Sequence, residues 1–304
     1  MIQESIQPGI ICFGEILWDN LPTGRTAGGA PMNVAYHLNR TGAESQLISR
    51  LGDDKAGKEL FNFSEKIGLP TDLLQTDPTY PTGEVIAKVR ENHEVVYDIL
   101  PDAAWDYISC SEQLKHLAGK ADAFVFGSLA ARNDTSRHTL LELLESAKFK
   151  VLDINLRAPH YSKETADLLL SRADLLKLNS DELSILTDWF YKSGAAEPDC
   201  ISFLQEKFGI AEIIVTKGGE GASYYYGNLS YSGEAYKVEV ADTIGAGDSF
   251  LAAFLYKKLT GCAIPETLDY ALAMGAFIAS QPGACPAYTH SDLSDFIISH
   301  ERQA

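Results

Sequence analysis

The chain has 304 residues, with 42 Asp and Glu against 25 Lys and Arg, and its formal net charge at pH 7 is −17. Because duplex nucleic acids and anionic membranes attract cationic surfaces, this balance argues against either as a partner. Hydrophobic residues make up 45% of the chain, which is enough for a sizeable core. We therefore expect a folded globular protein, and a small anion held at a helix N-terminus remains compatible with its charge.

The five cysteines, at positions 12, 110, 200, 262 and 285, are odd in number, and no two have the spacing of metal ligands. Such usage is typical of an intracellular protein with reduced thiols. The first residues lack the basic region and apolar run of a signal peptide, and no apolar stretch reaches the roughly 18 residues that span a bilayer. We expect a soluble, cytoplasmic protein.

Short apolar runs that lead into Gly, Asp or Asn alternate with helical patterns along the chain. The predicted buried strands are residues 10–13, 123–126, 150–152, 174–178 and 212–215. The predicted helices are residues 33–41, 54–67, 135–147, 165–172 and 247–259. This alternation indicates an α/β fold with a mostly parallel sheet and helices on both faces. In such sheets, ligands bind at the carboxyl ends of the strands.

One stretch departs from the alternation of strand and helix. Residues 82–100 alternate apolar and polar side chains on both sides of a predicted turn at Glu91-Asn92-His93, as a half-buried antiparallel hairpin does. A hairpin inserted in a parallel domain suggests a lid or an interface, and residues 16–26 are a candidate to join it. No linker divides the chain, although residues 193–199 are predicted to form a loop.

The most informative run is DTIGAGDSF, at residues 242–250, between a predicted strand at 236–240 and a predicted helix. Free N–H groups and the helix dipole converge at such a helix start, so that Gly245, Ala246 and Gly247 predict an anion hole. Asp248, in the first turn, is placed to accept the proton of an attacking hydroxyl while the hole stabilises a phosphoryl group in transfer. A structural turn with a capping Asp has the same pattern, so the run alone does not distinguish a phosphoryl-transfer site from such a turn.

A second glycine turn lies far upstream, in GGAPMNVA at residues 28–35, and LGDDKAG follows at 51–57. Together with the run at 242–250, these segments resemble the two signatures of the ribokinase-like (PfkB) carbohydrate kinases. The resemblance extends from Gly14 to about Pro286. It implies one ribokinase-like three-layer α/β/α domain over residues 1–304, with a mostly parallel central sheet. It also implies a small β-sheet lid formed by segments at about 16–27 and 82–103.

The resemblance assigns roles to the residues of the two signatures. Asp248 would be the catalytic base, and Gly245, Ala246 and Gly247 would hold the transferred phosphoryl group. Asp19, shortly after the first strand, would bind sugar hydroxyls, because a carboxylate can accept two hydroxyl protons. The other residues implied to line the sugar pocket are Gly28, Gly29 and Asn33.

The resemblance also implies ATP as the phosphoryl donor, bound along the TKGGEG loop at 216–221. The residues implied to contact ATP are Thr216, Lys217, Gly218, Gly219, Gly221 and Asn179. The loop is not a Walker P-loop, because no Gly-Lys-Ser/Thr element is present. Asn179 and Glu182 match the family's NxxE motif, in which Glu182 places Mg²⁺ indirectly, although the same spacing is a capping box. Asp242 and Ile244, with carbonyls near Ala279–Ala287, match a region that often holds a monovalent cation in the family, so a K⁺ site is predicted there.

Three segments resemble bacterial fructokinases: GSLA at 127–130 with Arg132, DINLR at 153–157 and PDAAWD at 101–106. Arg157 would hold a phosphoryl or sugar oxygen through its fork of donors. The predicted reaction is therefore the conversion of D-fructose to fructose 6-phosphate. The 2-keto-3-deoxygluconate kinases share the D-x-N-x-R pattern but often continue with Leu-Trp where this chain has His160-Tyr161, so that activity and a ribokinase-type activity stay open.

Two further alternatives differ in class. A nucleoside kinase would need an aromatic pocket, for which Trp18, Tyr97 and Trp105 are candidates, although core packing explains them as well. A non-catalytic sugar-binding regulator on the same fold would be free to lose the base, whereas Asp248 is present. An exposed lid sheet would offer an edge or a face to a second copy, so we also predict a homodimer through the lid.

Overall fold

The computed structural model describes residues 7–21, 24–89 and 95–300, with side chains except at 21, 87–89 and 95–97. The turn predicted at Glu91-Asn92-His93 lies outside these residues. In chain order, the strands are β1 Gly9–Phe13, β2 Leu17–Leu21, β3 Gly24–Gly28, β4 Glu44–Gly52, β5 Leu74–Asp77, β6 Gly83–Val89, β7 Val95–Ile99, β8 Ala123–Gly127, β9 Lys150–Asp153, β10 Leu175–Asn179, β11 Glu212–Thr216, β12 Ala222–Tyr226 and β13 Leu229–Gly233. The α-helices are α1 Ala30–Thr41, α2 Lys55–Lys66, α3 Glu112–Lys120, α4 Asp134–Ser146, α5 Lys163–Leu170, α6 Ser180–Phe190, α7 Glu197–Phe208, α8 Ala246–Leu259, α9 Ile264–Ala279 and α10 His290–Ser299.

The larger sheet has the strand order β13-β12-β11-β10-β9-β8-β1-β4-β5 within the described residues. From β11 to β5 each neighbouring pair is parallel, whereas β12 and β13 form an antiparallel hairpin at one edge. The parallel strands are linked by helices, as crossover connections require. The α/β prediction is confirmed. Each of the five predicted buried strands and each of the five predicted helices is present, with ends shifted by a few residues.

Helices cover both faces of this sheet, because alternate side chains of each interior strand point to opposite sides. In β1, Ile10 and Cys12 belong to a core shared with α1, α8, α9 and α10, whereas Ile11 and Phe13 belong to a core shared with α3 to α7. The two cores give the three layers expected of the fold. None of the helices in the described part of the chain combines the length and apolarity needed to cross a bilayer.

A four-stranded sheet, in the order β3-β2-β6-β7, is separate from the larger one. The hairpin predicted at 82–100 is present as the antiparallel pair β6–β7, and β2 joins it by running parallel to β6. Strand β3 pairs antiparallel with β2 and ends at Gly28, one residue before the N-cap of α1. The small sheet therefore ends at the start of α1.

Two details of the sequence prediction are wrong. Residues 236–240 form no strand. Tyr236 is buried against the Phe296 ring and donates to Asp269 Oδ2 at 3.0 Å, so it packs on α9 and α10, whereas Val240 is exposed. The loop predicted at 193–199 is shorter, because α7 begins at Glu197. The hairpin β12–β13, which closes one edge of the sheet, was not predicted.

Candidate functional site

The carboxyl ends of the central parallel strands bring the polar residues of the sequence to one edge. In the register of the sheet, Gly127 lies beside Asp153, Asp153 lies beside Lys177, and Asn179 lies beside Thr216. The first strand ends at the same edge and leads into Glu15. This placement follows from parallel topology alone, since all of these strands run in one direction.

Asn33 and Asp248 join the two glycine runs. Asn33 lies in the first turns of α1, and its Nδ2 donates a hydrogen bond of 2.8 Å to Asp248 Oδ2 at the start of α8. Burial raises the pKa of Asp248, the charge of Lys177 lowers it, Asp153 raises it, and the bond from Asn33 lowers it. The carboxyl group predicted to be the base therefore contacts α1, the helix that carries the predicted sugar ligand Asn33.

The turn before α8 has the geometry of an anion site. Gly245 is the N-cap in the left-handed region, with φ of 78°, and a Cβ atom there would lie 2.8 Å from Ala284 Cα, so glycine is required. Ala246 N–H donates to Thr243 O at 3.3 Å. Gly247 and Asp248 follow in the first turn, whose N–H groups have no carbonyl partner within a helix. Their amides and the helix dipole favour an anion beside Asp248.

The residues predicted to bind sugar lie together at the junction of the small sheet and α1. Asp19, in β2, packs so closely on Gly28 that a Cβ atom on Gly28 would overlap its Oδ2. Burial raises the pKa of Asp19 to about 6, and the charge of Arg157 opposes this shift. Gly29 is the N-cap of α1, and Asn33 follows one turn later. The structure thus brings together all four residues that the resemblance assigns to the sugar pocket.

Arg157 is exposed, and its positive charge lowers the pKa of Asp19, Asp248 and Glu15. Glu15 was not predicted as a site residue. Its side chain is 3% exposed, its Oε1 accepts from Ala30 N at 3.3 Å, and its Oε2 is buried with no hydrogen-bond partner among the described residues. Burial raises the pKa of Glu15 to about 7. Its position directly after the first strand and Gly14 was the available signal.

Asn179 and Glu182 form a reciprocal capping box at the start of α6. Asn179 Oδ1 accepts from Glu182 N at 2.9 Å, and Glu182 Oε2 accepts from Asn179 N at 2.9 Å. Glu182 Oε1 accepts from Leu156 N at 2.9 Å, so both carboxylate oxygens are engaged. No cluster of three or more acidic, His or Cys side chains suited to a metal occurs in the described ranges. These contacts fit an indirect role for Glu182, with Mg²⁺ held mainly by phosphate oxygens and water.

The predicted ATP loop follows β11. Its ends are tied by bonds from Lys217 N to Gly221 O at 2.8 Å and from Gly221 N to Gly218 O at 3.1 Å. Thr216 Oγ1 donates to Leu178 O at 3.4 Å, and side chains added at Gly218 or Gly219 would meet nothing within 4 Å. The backbone of the loop is therefore open to a ligand, as the prediction requires.

The side chain of Lys217 is directed away from this loop opening, towards α7. Its Nζ donates to Glu197 Oε1 at 2.7 Å and to Ser223 Oγ at 3.0 Å. Tyr225 donates to the same Glu197 oxygen at 2.5 Å. In this arrangement the Lys217 side chain links the loop to α7, and its ammonium is engaged by Glu197 and Ser223.

Asp242 bridges the two segments predicted to hold K⁺. Its Oδ1 accepts from Ile244 N at 3.0 Å, and its Oδ2 accepts from Gly283 N at 3.3 Å. The amides of Ala241 and Asp242 both donate to Ala279 O, at 2.9 and 3.2 Å. The side chain of Asp242 is thus used within the protein, and backbone carbonyls of the two segments would have to bind a cation.

Lys177 is the other residue that the sequence analysis missed. It lies within the apolar strand β10, and its Nζ is 2.8 Å from Asp153 Oδ2. A Cβ atom on Gly247 would lie 3.1 Å from the same Nζ. A lysine in an otherwise apolar run, LLKLN, was the signal that could have identified it.

Of the segments that resemble fructokinases, PDAAWD at 101–106 and Arg132 make structural contacts with each other. Arg132 binds Asp106 through two bonds of 2.8 and 2.7 Å, and its guanidinium lies 4.0 Å from the centre of the Trp105 ring. Trp105 is fully buried, and Trp18 packs against Phe63 and donates to Ala56 O at 3.0 Å. Both tryptophans are core residues, which removes two candidates for a nucleoside pocket; the side chain of residue 97 is outside those described.

Comparisons with known proteins agree with this geometry. The model of the family described as pfkB family carbohydrate kinase matches residues 8–290. The protein named "Probable fructokinase-5" from Arabidopsis thaliana is 30% identical over 311 residues, 92% of this chain and 94% of its own. The "Fructokinase" of Solanum tuberosum is 28% identical over 302 residues, 91% of this chain and 92% of its own.

Solved structures show the same fold. A fructokinase from Xylella fastidiosa with bound ATP superposes with a TM-score of 0.85 at 23% identity, over 97% of this chain and 99% of its own. A fructokinase from Vibrio cholerae O395 bound to fructose, ADP and calcium ion has a TM-score of 0.81 at 22% identity, over 95% and 99% of the two chains.

Proposed function

Because the chain belongs to the pfkB family of carbohydrate kinases, we propose that it transfers the γ-phosphate of ATP to the primary hydroxyl of D-fructose, giving fructose 6-phosphate. The contact of 2.8 Å between Asn33 and Asp248 carries the proposal, since it places a base within reach of a sugar bound on α1. Relatives named fructokinase align with more than nine-tenths of the chain, and they support the choice of sugar.

Each step assigns a task to residues already described. Asp19 and Asn33 hold and orient the sugar hydroxyls. Asp248 accepts the proton of the primary hydroxyl as that oxygen attacks the phosphorus, and the bond from phosphorus to the departing ADP oxygen breaks. The first-turn amides of Gly247 and Asp248 stabilise the charge on the phosphoryl oxygens. Bound Mg²⁺-ATP supplies the phosphoryl group and neutralises part of its charge.

The small sheet would act as the lid. Asp19 and Gly28 belong to its strands β2 and β3, so its position is linked to sugar contact. Closure would exclude water, which otherwise competes as phosphoryl acceptor. The sheet edges β3 and β7 also suit a homodimer, and sedimentation that detects only monomer would remove that part of the proposal.

The acidic surroundings favour a neutral sugar over 2-keto-3-deoxygluconate. Asp19, in the proposed sugar pocket, would repel a substrate carboxylate placed beside it, while the charge of Arg157 partly offsets that repulsion. The five cysteines form no disulfide, which suits a reducing compartment such as the cytoplasm. Activation by K⁺ is proposed for the segments bridged by Asp242, and replacing K⁺ with Na⁺ in the assay tests it.

A coupled ADP-release assay with Mg²⁺-ATP and a panel of sugars tests the proposed function. The panel contains fructose, ribose, 2-keto-3-deoxygluconate, tagatose, glucose and adenosine. We expect fructose to have the highest kcat/KM. Preference for another panel member would keep the kinase and reassign the sugar pocket, whereas no turnover of any sugar by folded protein would refute the proposed reaction.

A further inference from the structure

Lys177 is a buried cation at the predicted phosphate site. It lies in the middle of β10, between Leu176 and Leu178, and only 7% of it is exposed. Its Nζ makes one ion pair, of 2.8 Å, with Asp153 Oδ2 on the neighbouring strand β9. An ammonium group offers three donors. Because burying a charge is costly, a lysine at this position needs a reason beyond packing.

The position of the ammonium relative to α8 gives that reason. A Cβ atom on Gly247 would lie 3.1 Å from Lys177 Nζ, so the ammonium lies against the backbone of the anion turn. Glycine at 247 therefore leaves Nζ uncovered on the side of the first-turn amides. Lys177 and these amides point their positive charge at the same small volume beside Asp248.

The surrounding charges keep Lys177 protonated. Burial alone lowers its pKa, but the carboxylates of Asp153, Asp248 and Glu182 raise it, and the net direction is upward. Asp153 Oδ2 pairs with Lys177, and Asp153 Oδ1 is buried without a hydrogen-bond partner in the described structure. The side chain of Asp153 therefore contributes mainly by pairing with the ammonium of Lys177. Lys177 is thus held in its protonated form, with Asp153 as its ion-pair partner and the charge of Asp248 adding to the effect.

We propose that Lys177 is a catalytic residue whose ammonium contacts the phosphoryl group in transfer, and that Asp153 is the positioning residue that holds it. The inference rests on the proposed ATP-dependent reaction. In the transfer step, the sugar oxygen bonds to phosphorus, the bond to the ADP oxygen breaks, and the hydroxyl proton moves to Asp248. Lys177 keeps its protons throughout and stabilises the equatorial oxygens electrostatically.

A binding measurement that needs no turnover tests the contact directly. Calorimetry compares the affinities of Mg²⁺-ADP and of a non-hydrolysable Mg²⁺-ATP analogue for wild type and for Lys177→Met. We expect the variant to lose roughly tenfold or more in affinity for the triphosphate analogue and less than about threefold for ADP. Lys150→Met, the same change at the opposite end of β9, should alter neither. Equal losses for both nucleotides would overturn the proposal.

Kinetics on the best sugar of the panel give the second readout. Removing one charged donor from an anion hole should lower kcat by roughly 10²–10³. The acidic limb of the pH profile should move to higher pH in Lys177→Met, because Asp153, Glu15, Arg157 and Asn33 still face Asp248 while its nearest cation is gone. In Asp153→Asn that limb should move to lower pH. A kcat of Lys177→Met within about threefold of wild type would refute the role of Lys177. Acidic limbs of Lys177→Met and Asp153→Asn that do not shift in opposite directions would refute it as well.

A buried Asp153 left without its cation threatens the fold of the single variant. The double variant Lys177→Met/Asp153→Asn removes both charges and keeps the site neutral, so it is measured in parallel by the same calorimetry. It should show the same selective loss for the triphosphate analogue. If wild type turns over none of the sugars, the comparison of the two nucleotides still decides the role of Lys177 separately from the proposed reaction.

Discussion

Asn33 Nδ2 donates to Asp248 Oδ2 at 2.8 Å, although the two residues are 215 positions apart in the chain. The oxygen of the same amide, Asn33 Oδ1, accepts a hydrogen bond of 3.3 Å from Cys285 Sγ. One side chain of α1 therefore contacts both the predicted base and the segment that packs against Gly245. The proposed sugar site at α1 and the proposed phosphate site at α8 therefore share this amide.

Replacing Asn33 tests that junction. In Asn33→Ala, Asp248 loses a charge-assisted hydrogen bond and the sugar loses a contact, so kcat/KM should fall by roughly 10–100-fold. Since the bond lowers the pKa of Asp248, its acidic limb should also move to higher pH. The control is Asn39→Ala on the same helix, where the amide only bonds the backbone of Ser45. A pH profile that stays in place in Asn33→Ala would contradict the assignment.

Replacing Asp248 tests the base itself. Asp248→Asn keeps the shape of the side chain and removes its ability to accept the hydroxyl proton, so kcat should fall by roughly 10²–10⁴. Stability should change little, because the variant removes a buried charge. Asp181→Asn, an exposed first-turn acid of α6, is the matched control and should retain full activity. Turnover close to wild type in Asp248→Asn would show that another group is the base.

The sequence predicts the parts of the site that are local. The turn at Gly245, the capping box of Asn179 and Glu182, and the strands that end in polar residues are each determined by neighbours in the chain. The order of the interior strands was not predicted, because the residue pattern shows which segments are strands but not which strands are neighbours. The false strand at 236–240 shows the limit: the residues alternate as in a strand, but Tyr236 packs against two helices and Val240 is exposed.

The residues that were missed, and the side-chain partner of Lys217, depend on contacts between distant segments. Lys177 is a catalytic candidate only because Gly247, 70 positions later, lies against its ammonium. Glu15 gains its buried, partly unsatisfied carboxyl from the turn at Gly29. Lys217 was predicted to contact ATP, and its pairing with Glu197 depends on where α7 packs. Pattern alone identifies these residue types but not their partners.

Gly29 should tolerate no side chain. Its φ is 115°, and a Cβ atom would overlap the carbonyl oxygen of Glu15, which belongs to fixed backbone. Gly29→Ala should therefore lose about 2–4 kcal/mol of unfolding free energy and weaken sugar binding, through strain and the shift of α1. Gly68→Ala, at φ of 80° with nothing within 4 Å, should cost only about 1 kcal/mol. Urea titration measures both, and equal losses would contradict the overlap.

His37 fastens α1 to the segment that backs Gly245. Its Nε2 is 2.9 Å from Ala284 O and its Nδ1 is 2.9 Å from the Tyr288 hydroxyl. A carbonyl can only accept, so Nε2 carries the proton and Nδ1 accepts from Tyr288. Burial lowers the pKa of His37 from 6.5 to about 4, while the bond to Ala284 opposes this shift and Arg40 adds to it. The neutral ring is therefore the form that the fold requires.

This pKa predicts a loss of stability in acid. Between pH 6.5 and 4 the unfolded chain binds a proton at His37 that the folded protein does not, so the unfolding free energy falls as pH decreases through that window. Glu15 works in the opposite direction, because its pKa is raised from 4.5 to about 7 and its contribution improves on acidification. The contribution of His37 to the unfolding free energy is therefore isolated by comparing wild type with a His37 variant at each pH. The stability advantage of wild type over His37→Gln, measured by urea titration, should shrink by about 2–3 kcal/mol from about pH 7.5 to about pH 4.5. An advantage of wild type over His37→Gln that is independent of pH would show that the ring titrates normally in the folded protein.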